Sequence, residues 1–70
     1  MDEFFKRIRK GEFTMNVKTF VNQNFFMLGV DIEVFMHEHR GFFYLPASIS
    51  YNTDTEEYVA LLTYYYSNVN

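Results

Sequence analysis

The hydrophobic and polar positions of this chain change their period along its length, and each period predicts an element. Residues 2–10 follow a helical period, with apolar residues on one face and basic residues elsewhere. Asp2 is expected to cap the start of this helix, and Gly11 to close its end in a left-handed turn. From Glu12 to Thr19 apolar and polar residues alternate, which is typical of a half-buried strand.

Two further strands are predicted in the middle of the chain. Residues 30–37 alternate between aliphatic and mainly polar positions, and residues 38–41 form a four-residue hairpin loop that ends in glycine. A third strand then runs over residues 42–51. Pro46 has no N–H group to donate, so this strand is predicted to be an edge strand or to carry a bulge there.

The segment DTEEYVALLTYYYSN, residues 54–68, fits two structures. At a period of two neither face is apolar, whereas at ~100° per residue the apolar and polar residues separate into two arcs. Thr53-x-x-Glu56 and Asp54-x-x-Glu57 are both capping boxes, which favours a helix. The Tyr, Val and Thr content favours a strand. The helix sorts the residues better and is predicted, with the strand as its alternative.

These elements predict an α+β fold in a single domain, residues 1–70. Its order is helix–strand–strand–strand–helix, with a three-stranded antiparallel sheet, the N-terminal and C-terminal helices packed on one face, and the other face open. The predicted core consists of Phe4, Ile8, Met15, Val17, Val30, Ile32, Val34, Leu45, Ile49, Leu61, Leu62 and Tyr65.

Composition narrows the class of protein. The chain has no cysteine, which excludes disulfides and thiolate zinc sites and suits a reducing compartment. Nine Phe and six Tyr in 70 residues leave aromatic bulk or self-association to reinforce a small core. No apolar run approaches the ~20 residues of a membrane span, and the N-terminus lacks the apolar region of a signal peptide. An intracellular protein without a membrane partner is expected.

The net charge of −3 is unevenly distributed. Residues 1–10 contain four of the six basic side chains, and the other sixty residues contain seven carboxylates against Lys18 and Arg40. The basic cluster either complements the helix dipole as a solvated face or contacts an acidic partner. An acidic body argues against direct binding of nucleic acid.

No pattern of residues indicates a reaction. His37-Glu38-His39 offers two imidazoles and a carboxylate, but no further ligand follows at a suggestive spacing, so a structural loop is favoured over a metal site. No serine lies in a nucleophile pattern, and the three glycines form no phosphate loop. We therefore predict no catalytic residue, no metal and no cofactor.

The open sheet face is the candidate site. In the predicted hairpin Phe35 lies opposite Tyr44, with Asp31 and Glu33 on the same strand. Such pairs either simply hold a small sheet together or form an exposed aromatic patch with an acidic rim, as protein-binding surfaces do. The second interpretation includes self-association as a homodimer.

The order of elements resembles the double-stranded RNA-binding domain over the whole chain. That family carries a lysine cluster at the start of its second helix, where this chain reads Thr55-Glu56-Glu57, so the RNA-binding activity is not carried over. The opening EFFKRIRKGEFTMNVK, followed by an acidic sheet and helix, resembles the small acidic phage anti-CRISPR proteins that block Cas9.

The anti-CRISPR resemblance implies a protein whose carboxylates imitate phosphate in the basic cleft of a host nucleic-acid enzyme such as Cas9, in the host cytoplasm. The partner-binding residues would then be Asp31, Glu33, Phe35, Tyr44, Glu56, Glu57 and Tyr64. The alternative is a small self-associating structural or adaptor protein that uses an aromatic sheet face as its oligomer interface.

Overall fold

A central strand organises the sheet in the computed structural model, which describes residues 3, 6, 7 and 10–68. The elements are β1 (Phe13–Asn22), α1 (Phe25–Glu38), β2 (Phe43–Tyr44), β3 (Ser48–Asn52) and β4 (Glu57–Ser67). Antiparallel β1 pairs with β4 over its whole length, and β2 and β3 pair with the other edge of β4 in succession. From residue 10 to residue 68 one helix, α1, therefore lies beside a four-stranded antiparallel sheet, and the predicted helix–strand–strand–strand–helix order is wrong.

The segment that precedes β1 is described only in part. Of the predicted helix over residues 2–10, Glu3, Lys6 and Arg7 are helical, while Phe4 and Ile8 lie outside the described residues. Its predicted end is present. Gly11 has φ of +75°, and the N–H of Glu12 donates to the Arg7 carbonyl at 3.0 Å, which is the six-residue closure that a left-handed glycine permits.

The predicted strand over residues 30–37 is instead the C-terminal part of α1. Asn24 caps this helix, since its side chain accepts a hydrogen bond from the N–H of Met27 at 3.1 Å. Leu28, Ile32 and Phe35 then follow at helical spacing and face the sheet. The segment is apolar at so many positions that it satisfies a period of two and a period of 3.6 together, and packing against the sheet decides between them.

The predicted C-terminal helix is instead the central strand β4. A strand with neighbours on both sides and apolar residues on both faces shows no polar face, so alternation is hidden in the sequence. The predicted capping boxes lie in the β3–β4 hairpin. There the Asn52 side chain accepts hydrogen bonds from the N–H groups of Asp54 and Thr55, at 2.9 and 3.4 Å, and Glu56 has φ of +57°. Residues that cap helices also stabilise turns, which explains the wrong prediction.

The predicted bulge at Pro46 is confirmed. β2 and β3 lie along one edge of β4, where Phe43 pairs with Tyr65 and Ser48 pairs with Leu61. Between these two pairs the edge contains one residue more than β4 does. One extra residue therefore sits on the edge between them. The N–H of Leu45 still reaches the Thr63 carbonyl at 3.0 Å, so the break is confined to the proline and its neighbour.

The core lies between α1 and one face of the sheet and is small. Its buried cluster consists of Phe20, Leu28, Ala60 and Leu62, with Ile32 among the half-buried side chains packed against it. The predictions for Leu62 and Ile32 are thus confirmed. Other predicted core residues are exposed. Met15, Val17 and Leu61 lie on the sheet face away from α1. Val34 lies on the outer side of α1, and Leu45 and Ile49 lie on the edge formed by β2 and β3.

Candidate protein-binding surface

Alternate residues of β1 and β4 form a continuous surface on the side of the sheet away from α1. The register pairs Val17 with Thr63, Thr19 with Leu61, and Val21 with Val59, so these side chains share one face. We call this surface the apolar sheet face, and we define it by its members: Met15, Val17, Thr19, Val21, Val59, Leu61 and Thr63.

The apolar sheet face is exposed and carries no charged side chain. Met15 is 58% exposed, and Val17, Val21 and Leu61 are between 46% and 48% exposed. Beside them β3 contributes only Ser48 to the row of Leu61 and Ser50 to the row of Val59. Scattered apolar residues are normal on a protein surface, whereas a contiguous apolar patch marks an interaction site.

Charged groups lie at the two ends of this face and differ in sign. At one end the Arg7 guanidinium lies 4.8 Å from the centre of the Phe13 ring and pairs with Glu12 at 3.0 Å. At the other end the β3–β4 hairpin carries Asp54, Glu56 and Glu57. The surface thus has an uncharged centre and charged rims, as many protein interfaces do.

The accessible surface and the radius of gyration of the chain are both larger than those of a compact protein of its size. A monomeric protein of 8.5 kDa is expected to expose about 4,650 Å², and this chain exposes 5431 Å². Its radius of gyration is 14.4 Å, where a compact chain of 70 residues has about 11 Å. The exposed side chains of the apolar sheet face are part of this larger accessible surface.

The predicted aromatic site residues do come together, but on the helix side of the sheet. The Phe35 ring lies 6.5 Å from Tyr44 and 5.4 Å from Tyr64, between centroids. Phe42 stacks on Tyr64 at 5.2 Å with the two rings parallel. These half-buried rings join α1 to β2 and β4. The predicted open-face pair of Phe35 and Tyr44 is therefore a contact within the fold.

Tyr44 is held in this cluster by its hydroxyl group. The hydroxyl donates to the His39 carbonyl at 2.6 Å, and His39 Nδ1 donates to the Phe35 carbonyl at 2.8 Å. Burial, and then the neighbouring Tyr64, raise the pKa of Tyr44 above its usual value. The hydrogen bond of Tyr44 joins the C-terminal end of α1 to β2, and the hydrogen bond of His39 closes the end of the helix itself.

The predicted contact carboxylates do not share one face. Asp31 points toward β1, where it accepts a hydrogen bond from the Asn22 side chain at 3.2 Å, and Glu33 is exposed. Residues two apart in a helix point in different directions, so Asp31 and Glu33 cannot form one patch. Glu56 and Glu57 lie in the hairpin, away from the middle of α1. The acidic rim predicted on one sheet face is therefore wrong.

The outer side of α1 is a second exposed surface. Phe26 is 76% and Val34 is 51% exposed, and Val30 lines a shallow groove between them. Glu33 and His37 interrupt this surface with charge-bearing groups. Among the residues that the structure describes, no three His, Cys, Asp or Glu side chains are grouped as a metal ion would need.

Comparison of the chain with protein-family models, with curated proteins and with solved structures finds no match. In the described part of the chain, no helix has the length and apolar character that crossing a bilayer requires. The apolar sheet face is not predicted from the sequence, because three of its members, Met15, Val17 and Leu61, are predicted to lie in the core. A signal was present: Leu61 and Leu62 are adjacent, and in a strand one of them must face away from a helix.

Proposed function

We propose that this protein acts by binding another protein through the apolar sheet face and performs no reaction of its own. The observation that carries the proposal is the uncharged row of exposed side chains along β1 and β4, with Met15, Val17 and Leu61 each about half exposed. Exposed apolar surface in water is costly, and covering it is the main favourable term in association. A small structural or adaptor subunit is the class of protein that this geometry supports best.

A photo-crosslinking experiment in the cells that produce the protein tests this proposal. A photoreactive phenylalanine analogue at Val17 lies on the apolar sheet face, and the same analogue at Asn16 lies on the other face of the same strand. We expect adducts from position 17 and few from position 16, with the adduct identified by mass spectrometry. Equal labelling from both positions, or none from position 17, contradicts the proposal.

An inhibitor of a host nucleic-acid enzyme, of the phage anti-CRISPR type and acting in the host cytoplasm, is a second candidate. It is favoured by the hairpin that joins β3 and β4, where Asp54, Glu56 and Glu57 crowd three carboxylates into four residues. Such a cluster can stand in for phosphate in a basic cleft. Salt weakens binding of this kind, because the attraction between exposed charges falls off over a Debye length of ~10 Å at 0.1 M. Apolar association does not depend on this attraction.

Charge reversal separates the two candidates. If an enzyme such as Cas9 is the partner, Glu56→Lys with Glu57→Lys weakens its binding severely, and Leu61→Lys leaves the binding unchanged. If the apolar sheet face is the binding surface, Leu61→Lys has the larger effect. The measurement is titration of each variant against purified Cas9 at low and high salt, and failure of the parent protein to bind removes the inhibitor candidate for that enzyme.

A further inference from the structure

We propose that the occupant of the apolar sheet face is a second copy of this chain, packed face to face so that the two β4 strands run antiparallel. This inference rests on the proposed function and makes it specific. The product is a two-layered sheet sandwich with an α1 helix on each outer side. Two sheets packed in this way lie about 10 Å apart with their strands within about 30° of each other.

The accessible surface area of the chain favours a partner as large as a second copy. The chain exposes 5431 Å², about 800 Å² more than a monomer of its mass is expected to expose. About 800 Å² per partner is also the share that each protein contributes to a standard stable interface. A face-to-face dimer that buries about 800 Å² on each copy would therefore bring the accessible surface per chain to the value expected for its mass.

The composition of the apolar sheet face favours a second copy of this chain over a foreign protein with a charged cleft. The members of the apolar sheet face are apolar residues and two threonines, so a copy opposes them with the same uncharged groups. Homodimer interfaces are more apolar than those between proteins that also exist apart. Among the described residues only Phe13, Phe20, Leu28, Ala60 and Leu62 are buried hydrophobics, and a chain of 70 residues without cysteine has few other means of reinforcement.

The charges at the ends of the face select the orientation. Among the described residues before β1, Lys6, Arg7 and Lys10 outnumber Glu3 and Glu12 at one end, and Asp54, Glu56 and Glu57 lie at the other. If the two β4 strands ran parallel, the acidic hairpins of the two copies would lie next to each other and repel. When they run antiparallel, each acidic hairpin lies at the basic end of the partner. Complementary ends fix orientation and suppress the alternative.

Pairing of the free edges of β1 is a less favoured route to a dimer. The N–H of Val17 is already bonded to the Asn16 side chain at 3.0 Å, and Lys18 adds a charge in the middle of the strand. Both features are found on edge strands that avoid pairing with another chain. The opposite edge carries Pro46 and the bulge, which interrupt a continuous ladder.

Sedimentation equilibrium of the purified protein is the first test. We expect a dimer whose dissociation constant rises at least about 30-fold in Leu61→Lys, as loss of a central contact in an interface does. Ile49→Lys is the matched control, because Ile49 is 45% exposed against 46% for Leu61 but lies on the helix side of the sheet. Val17→Lys replaces Leu61→Lys if the latter fails to fold by circular dichroism. A monomer at all concentrations, or equal effects of Leu61→Lys and Ile49→Lys, overturns the inference.

The orientation is tested by a distance between spin labels. The chain has no cysteine, so Asp54→Cys carries one label per copy at the tip of the hairpin. The 11 residues of β4 span about 35 Å, so antiparallel strands place the labels on the order of 40 Å apart, and parallel strands place them under about 25 Å. Glu57→Lys should weaken the antiparallel dimer, and adding Lys10→Glu should restore it. A short distance, or a dimer strengthened by Glu57→Lys, overturns the antiparallel arrangement.

The two proposals fail in different ways. A monomeric protein whose photoreactive variant at Val17 still crosslinks to an identified foreign protein refutes the second copy and leaves binding through the face intact. A dimer that is insensitive to Leu61→Lys, together with no crosslinks from position 17, refutes both. A dimer sensitive to Leu61→Lys, with position 17 crosslinked to this same chain, supports both.

Discussion

Leu61 and Leu62 are adjacent in β4 and point to opposite faces, so truncating each one tests the fold and the proposed interface together. Leu62 is 2% exposed and packs in the cluster of Phe20, Leu28 and Ala60. Leu62→Ala removes about three methylene equivalents at ~0.8 kcal/mol each, and the cavity left behind brings the cost to about 2–5 kcal/mol. A core of this size supplies only about 3–5 kcal/mol, so the variant should be largely unfolded.

Leu61→Ala should behave differently. The side chain is 46% exposed in the single chain, so its loss removes about half of the transfer free energy, roughly 1 kcal/mol, and leaves no closed cavity. In a dimer its cost should grow, because association stabilises the folded state in proportion to the logarithm of protein concentration. We therefore expect the parent melting temperature to rise with concentration, and that of Leu61→Ala to rise much less.

The assay is thermal unfolding followed by far-ultraviolet circular dichroism, at protein concentrations that differ by about 100-fold, a range over which a dimer's stability shifts by about 2.7 kcal/mol. The fold places Leu62 inside and Leu61 outside. If Leu61→Ala is the more destabilising variant at the lowest concentration, or if Leu62→Ala melts with the parent, then the faces of β4 are assigned the wrong way round. A one-residue shift of register is the change that would exchange them.

Further predictions concern single sites. Glu56 is a non-glycine residue at φ of +57°, so Glu56→Gly should raise stability by up to about 1 kcal/mol, seen as a melting temperature several degrees higher; a lower one would contradict this. The raised pKa of Tyr44 means that the unfolded chain releases that proton first as the pH increases, so its stabilising effect is full below pH 10 and is lost above it. Tyr44→Phe should flatten the alkaline part of the stability curve, and an unchanged slope would assign that slope to other groups. Zinc or nickel should leave the melting temperature unchanged, because His37 and His39 have no grouped third ligand in the described part of the chain; a rise of several degrees at micromolar metal would reveal a site.

Local signals in the sequence were sufficient for some elements. The alternation after Glu12 predicts β1, Gly11 predicts the closing turn before it, and the missing N–H of Pro46 predicts the bulge. Each of these features depends on chemistry within a few residues. Asn24 belongs to the same class, since an asparagine before an apolar run is a helix-start signal.

The exchange of helix and strand between α1 and β4 has a different origin. Both segments are apolar on nearly all sides, so neither period separates core from solvent, and tertiary packing overrides local preference. The predicted position of the candidate site is wrong for the same reason. The sequence predicts that Phe35 and Tyr44 lie opposite each other on an open face, but the two rings meet under α1, where Tyr64 also contacts Phe35. Three exposed members of the apolar sheet face, Met15, Val17 and Leu61, are predicted to lie in the core for the same reason.

A central strand with two apolar faces is at risk of slipping by one residue, because burial alone barely distinguishes the two registers. Here hydrogen bonds at the two ends of β4 fix the register instead. The Asn52 side chain fixes the hairpin before it, and at its far end the N–H of Asn68 donates to the Glu12 carbonyl at 2.8 Å while its side chain donates to Gly11 at 3.0 Å. Because these polar contacts hold β4 at both ends, the face between them can remain free of charged side chains, which is the property that the proposed interface requires.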